Sequence, residues 1–436
     1  DALCLTFLCP PFCKGSLHPY IRMEDTEFLN NPLFVYIYRN FLCVKRKNKF
    51  AKSFFIQYEN LLYDIFEPCN KSCSLHSVSH HEFFSALWCF ITIHIQFILH
   101  LLAFQIMSAI ITKFDYKSKW SDDMKKRTKV VIGIGISLLI LVLGGLGFAG
   151  NYFYTLAIDA HSDKSVVFGN EEEDPKAAQA SKDSYNEMMA RDTKDVWMKN
   201  KDGYRLHAYE INQTGNKWVI VVHGYISEAK NMAEVANHFA EQGYRVLVPD
   251  LRSHGQSEGD SIGMGAWDSE DIVEWSKYIL KQDSSASIAL YGVSMGASTV
   301  MMASGNEQLP DAVKVAVEDC GYTSAWDEFS FQLDDLFGLP SFPALDAANL
   351  VTKLRAGYDL KDADALAAVK RKKVPMLFIH GDADDFVPTD MVYPLYKAAA
   401  GEKELMIVKG AGHGKSREAD PLAYWEKVDT FLEKYI

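Results

Sequence analysis

Beyond Cys89 this chain of 436 residues carries a single cysteine, Cys320. Its later part therefore holds no internal disulfide and must be stabilised by its own core. The other seven of the eight cysteines, Cys4, Cys9, Cys13, Cys43, Cys69, Cys73 and Cys89, crowd into the opening segment, so the two parts read as different kinds of sequence. Positive charge is scarce as well. Lys and Arg number 45 against 57 Asp and Glu, a formal net charge of -12, which argues against a nucleic-acid partner because phosphate binding needs clustered cations.

The opening segment, Asp1 to about Lys119, also lacks a sustained helical or strand period. Residues 1–123 are expected to be a non-native or disordered leader, upstream sequence translated ahead of a start at Met107 or Met124. The competing reading is an N-terminal membrane region, since residues 83–112 are largely apolar, though His94, Gln96 and His100 interrupt them. Cys69-Asn-Lys-Ser-Cys73, followed by His76, His80 and His81, fits no zinc spacing, and no metal site is expected there.

Charge is absent altogether from Val130 to Ala157. Val130 to Ala149 alone supplies the roughly 20 apolar residues that a bilayer-spanning helix needs. Residues 124–157 are thus expected to be a basic flank plus a single transmembrane anchor. Lys125, Lys126, Arg127 and Lys129 precede the apolar run and place that flank in the cytoplasm, with the large C-terminal part outside the cell. A cleaved signal ending at Gly147-Phe-Ala149, giving a secreted protein, is the alternative. Residues 158–195 read as a polar connector and first helix, without chemistry.

From Val196 to Ile436 short apolar runs alternate with amphipathic stretches. Trp218–Val222, Arg245–Val248, Ile288–Tyr291, Val313–Val317, Pro375–Ile379 and Leu405–Val408 predict strands, and Asn231–Gln242 and Trp267–Lys281 predict helices. Such alternation predicts an α/β fold, a mostly parallel central sheet with helices on both faces. Val196–Lys199 and Arg205–Glu210, joined through Lys201-Asp-Gly203, predict an antiparallel hairpin at its start. The stretch between the fourth parallel strand and the fifth exceeds a simple crossover, so residues 322–372 are expected to hold a small helical cap. Within it Trp326, Phe329, Leu333, Leu336 and Phe337 fall at helical spacing as one apolar stripe. The stripe either packs on the core or roofs a pocket for an acyl group, with Tyr322 and Phe342 joining that wall.

The chemistry-bearing residues gather where strands end. Tyr291-Gly-Val-Ser-Met-Gly296 follows one strand and precedes a helix, a nucleophile-elbow pattern with Ser294 at the turn. After the strands ending at Ile379 and Val408 come His380-Gly-Asp-Ala-Asp-Asp-Phe-Val-Pro388 and Lys409-Gly-Ala-Gly-His413-Gly. The order is therefore serine, acid, histidine. With His223-Gly224 and Asp250-Leu-Arg-Ser-His-Gly-Gln-Ser257, these motifs make residues 196–436 resemble the α/β-hydrolase family.

The resemblance implies a role for each residue. Ser294 is the nucleophile, His413 the general base that takes its proton, and Asp384, fifth in the family's acid motif, the group that orients the histidine. Asp382, Asp385 and Asp319 are the competing acids. Backbone N–H groups of Met295 and Tyr225 form the oxyanion hole, while the Tyr225 ring, Tyr322, Trp326, Phe329 and Phe342 line the substrate pocket. His223, Arg252 and His254 hold loops in place, and Cys320 is a buried small residue. The implied function is a serine hydrolase that cleaves small-molecule carboxylic esters through an acyl-enzyme, without cofactor or metal. A peptidase or an acyltransferase on the same fold is the alternative. A non-catalytic binding protein is disfavoured because serine, acid and histidine are all present. The sequence sets neither the acyl length nor the oligomeric state.

Overall fold

The computed structural model describes residues 122–168 and 174–436. The leader apart from residues 122 and 123, its apolar segment 83–112 and the Cys69 to His81 cluster lie outside the described residues.

A central sheet of eight strands organises the rest. These are β1 (Thr193–Lys199), β2 (Arg205–Ile211), β3 (Lys217–Val222), β4 (Arg245–Pro249), β5 (Ser287–Val293), β6 (Val313–Asp319), β7 (Met376–Gly381) and β8 (Lys403–Val408). Their order is β1-β2-β4-β3-β5-β6-β7-β8. The β1–β2 and β2–β4 pairs are antiparallel and every other pair is parallel. The antiparallel start and parallel remainder follow the alternation and the Lys201-Asp-Gly203 turn read above.

Side chains alternate across the sheet because a strand has a period of two. In β3, Trp218, Ile220 and Val222 enter one core and Val219 and Val221 the other. The second core is closed by helices α2 (Pro175–Ala190), α3 (Ala233–Glu241) and a C-terminal helix (Pro421–Glu433), through Met188, Phe239 and Phe431. On the opposite face lie α4 (Ala266–Gln282), α5 (Met295–Ser304) and the cap helices α6 (Ala325–Phe337) and α7 (Ser341–Arg355). Local chemistry fixes α6: Ser324 Oγ accepts from the N–H of Asp327 at its start. At its end Gly338 adopts φ 62°, letting its N–H reach Asp334 O and that of Leu339 reach Leu333 O.

The long helix α1 (Asp122–Ala157) contains the apolar stretch Val130–Ala157, 28 residues with mean hydropathy 2.6, long enough to cross a membrane. Its two parts differ. From Val130 to Phe148 large apolar residues are exposed, Leu141 at 70% and Phe148 at 66%. From Gly150 onward the helix belongs to the folded part: Phe153, Tyr154 and Leu156, with Ile158 just beyond, are buried in the same core as the cap. The exposed part, about 20 residues at about 1.5 Å each, spans about 30 Å, the thickness of a bilayer core.

Among the described residues, the start of the expected connector, 158–162, is tied to the folded part rather than extending from it. Ile158 and Ala160 pair with the Asp260–Ile262 segment through backbone hydrogen bonds of 2.8 and 3.1 Å. The reason is apolar burial combined with capping. Lys164 Nζ, from a side chain only 8% exposed, donates to the carbonyls of Leu156 (2.8 Å) and Asp159 (2.7 Å), satisfying acceptors that a helix end leaves open. Packing against the cap is equally close, since a methyl group on Gly150 would lie 2.6 Å from Ala347 O in α7. The Arg355 guanidinium stacks 4.3 Å above the Tyr154 ring and donates to Asn151 Oδ1.

Substituting Lys164→Met should therefore leave the Leu156 carbonyl without its donor, Asp159 O keeping that of Ser162, and lower unfolding free energy by about 1–3 kcal/mol. Thermal unfolding of the full chain in detergent checks this, and an unchanged midpoint would mean that apolar packing alone holds the helix end.

Candidate active site

The site begins with a backbone constraint. Ser294 sits between β5 and α5 at φ 58° and ψ -120°, a strained conformation for a residue with a side chain. Its N–H donates to Asp319 O at 2.8 Å. Methyl groups would not fit on the flanking glycines: at Gly292 one would lie 2.2 Å from Gly296 O, and at Gly296 one would lie 2.3 Å from Val222 O. The spacing of the elbow motif thus reflects backbone contact between β5, α5 and β3.

At the carboxyl ends of the parallel strands, Ser294 Oγ lies 2.8 Å from His413 Nε2, and His413 Nδ1 lies 2.8 Å from Asp384 Oδ2. Ionised carboxylates only accept, so Nδ1 carries the proton and Nε2 of the neutral ring accepts the serine hydroxyl. Asp384 Oδ1 accepts from the N–H groups of Phe386 and Val387 at 3.1 and 2.9 Å. Burial alone would raise the Asp384 carboxyl, but hydrogen bonds from His380 and His413 outweigh it and hold it at about 2. The competing acids do not reach His413. Asp319 accepts from the Tyr424 hydroxyl, Asp382 Oδ1 from Gly410 N–H, and Asp385 is exposed.

Two loops frame the serine. Met295 opens α5, where first-turn N–H groups have no acceptor within the helix. The His223–Tyr225 loop passes alongside, and a methyl on Gly224 would lie 3.7 Å from Ser294 Oγ. His223 fastens that loop: Leu251 N–H donates to its Nε2 at 3.0 Å, so Nδ1 is the protonated nitrogen and donates to Gly224 O. Burial and the neighbouring His254 push His223 down to about 3, so it stays neutral. Arg252 forks onto Asp271 at 2.9 and 3.0 Å and ties the loop after β4 to helix α4. His254 Nδ1 bonds Arg252 O within the same loop. Sequence reasoning missed His207, which bridges Asp250 (2.7 Å) and Asp195 (2.9 Å) and anchors the base of that loop.

A cavity of about 860 Å³, its mouth included, adjoins Ser294. Tyr225, Tyr322 and Phe329 line it, together with Leu333, Leu336 and Phe337 of the cap stripe. Trp326 and Phe342 do not. Trp326 lies under the Lys361 ammonium, 4.0 Å from its ring centroid. Phe342 precedes Pro343 in an extended conformation that turns its ring outward, 73% exposed. Tyrosine hydroxyls around the cavity are engaged elsewhere: Tyr225 donates to Ala157 O at 2.6 Å and Tyr322 to Met264 O at 3.0 Å.

Several lining residues had no counterpart in the sequence reading. Phe153, Tyr154, Leu156 and Ile158 come from α1 and its end. The Tyr152-Phe-Tyr154 cluster at the close of the apolar run was the available signal. Phe386 lies 5.0 Å from the His413 ring and also faces the cavity. Glu328 is the one carboxyl in the lining; burial pushes it up to about 8, and its Oε2 has no hydrogen-bond partner among the described residues. At neutral pH it therefore presents a protonated carboxyl. Cys320 lies within 4.8 Å of the Asp384 and His413 ligand atoms, but burial beside Asp319 and Asp384 keeps its thiol protonated. It packs there as a small apolar side chain.

Residues 213–317 match the family described as serine aminopeptidase, S33, a stretch that includes Ser294 and His223 and ends before Asp384 and His413. The uncharacterized protein YqkD of Bacillus subtilis is 29% identical over 234 residues, 53% of this chain and 76% of that protein. The alpha/beta hydrolase domain-containing protein WAV2 of Arabidopsis thaliana is 27% identical over 252 residues, 55% of this chain and 79% of that one. Among solved structures, the Pyrococcus furiosus esterase Pf2001 aligns with TM-score 0.48 and 22% identity, covering 57% of this chain and 95% of that one.

The neutral, buried His223 generates a prediction on stability. Its folded value lies below the unfolded one, so the folded state is favoured fully above about pH 6.5 and loses that advantage as pH falls toward 3, by about 2 kcal/mol at about pH 5. The unfolding midpoint should drop on acidification from about pH 7 to about pH 5, and His223→Gln should flatten part of the drop. An identical acid slope in the variant would contradict this.

Proposed function

We propose that this chain, which belongs to the α/β-hydrolase family, is a membrane-anchored serine hydrolase that cleaves carboxylic esters through an acyl-enzyme. The observation that carries the reading is the continuous chain of hydrogen bonds from Ser294 Oγ through His413 to Asp384 at the floor of an apolar cavity.

Ser294 Oγ attacks the ester carbonyl carbon while its proton passes to His413 Nε2. The imidazolium is stabilised by Asp384, a carboxylate at any pH above about 2. Collapse of the tetrahedral intermediate breaks the bond to the leaving oxygen, which takes the proton from His413 and departs as the alcohol. Water then repeats the sequence: it loses a proton to His413, attacks the acyl carbon, and releases the carboxylic acid as Ser294 Oγ regains its proton. Backbone N–H groups of Met295 and Tyr225 are assigned to the oxyanion. Removing a donor of this kind costs about 2.7–4 kcal/mol in other hydrolases.

Peptide amides are the second reading, favoured by the description of the matching family. The one carboxyl that the cavity offers an amino group is Glu328, which at neutral pH is protonated and lacks the charge an ammonium would seek. Esters are therefore preferred. The basic flank before Val130 assigns the catalytic part to the extracytoplasmic side.

The full chain in detergent is the proper enzyme, because residues before Val196 line the cavity. A fluorophosphonate should label it, and Ser294→Ala should abolish labelling and lower kcat on 4-nitrophenyl esters by about 10⁴ to 10⁶-fold. Turnover of leucine 4-nitroanilide faster than of the esters would favour the peptidase. Absence of labelling in the folded wild-type protein would refute the serine mechanism.

A further inference from the structure

The active-site cavity and the membrane-length helix share residues. Phe153, Tyr154, Leu156 and Ala157 of α1 line the cavity, and Phe153 packs edge-on against Phe337 of the cap at 5.3 Å. About 6 Å of helix rise separates Phe153 from Ala149, where the exposed apolar part of α1 ends. The cavity wall thus begins about one helical turn beyond the segment long enough to cross a bilayer.

The cap helix α7 runs against that same turn, through Gly150 and Ala347, and contributes Leu345, Ala348 and Thr352 to the lining. Two leucines on its outer side are uncovered, Leu350 at 58% and Leu354 at 77%, four residues apart on one helical face and flanked by the exposed Asp346 and Lys353. Exposed apolar groups on a helix that packs against a membrane-length helix fit a surface resting in the bilayer interface. Arg355, on the last turn of α7, stays bound to Asn151 and Asp159 of the α1 end and fixes the two elements together.

The cavity interior points to the same substrate. Tyr154, Tyr225 and Tyr322 direct their hydroxyls to Ser261, Ala157 O and Met264 O, so they present ring faces, and Thr352 Oγ1 is taken by Ala348 O. A cavity walled in this way suits a hydrocarbon chain rather than a polar acyl group.

We infer that the substrate is a long-chain acyl ester resident in the bilayer, and that its chain reaches Ser294 along the cavity wall formed by the end of α1, without passing through water. This rests on the serine-hydrolase reading and names its substrate class. The helix would then serve as an access wall as well as an anchor. Long chains partition strongly into lipid, so an enzyme that collected them from water would meet a vanishing concentration. A cavity wall that continues from the membrane segment removes that barrier.

The experiment uses the full chain reconstituted in phosphatidylglycerol and phosphatidylethanolamine vesicles, with two probes: 1-monooleoylglycerol in the bilayer, read as released oleate, and 4-nitrophenyl acetate in the water. The wild-type protein should hydrolyse monooleoylglycerol with at least about 10-fold higher kcat/KM than the acetate ester. Leu156→Trp, which fills the α1 side of the cavity, should cut oleate release at least about 10-fold and move the preference toward short chains. Because that variant could misfold, the exposed pair Leu350→Glu and Leu354→Glu supplies a second test. It should lower oleate release while turnover of the acetate ester stays within about 2-fold of wild type. Acetate turnover without oleate release, or equal loss of both activities in both variants, would overturn the lipid assignment while leaving the hydrolase standing. No turnover of either ester together with no fluorophosphonate labelling of Ser294 would overturn both.

Discussion

The arrangement depends on one backbone constraint, the turn at Ser294. Its positive φ reverses the chain from β5 into α5 so sharply that the side chain stands clear of both elements. The turn leaves no room for a methyl on Gly292 or Gly296, because α5 packs directly on its own strand and on the end of β3. Once the serine is placed on a central strand, parallel topology does the rest, since the loops after β7 and β8 emerge at the same edge of the sheet. Those two loops are joined by backbone contacts of their own. Asp382 N–H donates to Val408 O and Ala383 N–H to Ala411 O, each at 3.0 Å. Asp384 and His413 are thereby fixed relative to each other before either meets Ser294.

A second dependence runs from the loop beside Ser294 to the long apolar helix α1. Tyr225 belongs to the loop beside Ser294, and its hydroxyl donates to Ala157 O at the end of α1. That carbonyl is one of the acceptors a helix leaves open at its C-terminus. Neighbouring carbonyls are held by Lys164, whose ammonium burial lowers to about 8. The end of α1 is thus a fitted part of the cavity wall, and its burial gives a reason for the aromatic residues there that membrane spanning alone would not supply.

The fold was legible because its signals are local. Six apolar runs, a hairpin turn and the elbow glycines each declare themselves within a few residues, and their order gives the sheet. The Ser294, Asp384 and His413 set was legible for the same reason, as each follows a strand in a recognisable motif. What remained hidden is long-range. The Tyr152-Phe-Tyr154 cluster sets the close of the apolar run apart, but it does not say that Phe153 and Leu156 share a core with Phe337 and Leu345, about two hundred positions further on. An apolar helix read by composition looks uniform, and only packing reveals that its last two turns serve the core. The cap stripe was read correctly as a face, but helical spacing could not decide that Trp326 would sit under Lys361, outside the cavity. Phe342, added to the pocket wall without a helical phase behind it, lies outside the cavity because an extended residue before proline turns its ring outward.

These features divide the work of the site between two kinds of surface. Polar groups that touch the reacting centre are satisfied by one another: Asp384 by two backbone N–H groups and two histidines, His223 by Gly224 and Leu251. Such a network is preorganised and gains little from any particular substrate. The cavity wall is the reverse, mostly apolar. Glu328 is the exception. Its buried Oε2 lies in that wall without a hydrogen-bond partner among the described residues. Bond-making is thus built into the sheet, whereas selection is built into segments added before and between its strands, α1 and the cap. On this fold the chemistry can stay fixed while the substrate changes with those two segments alone.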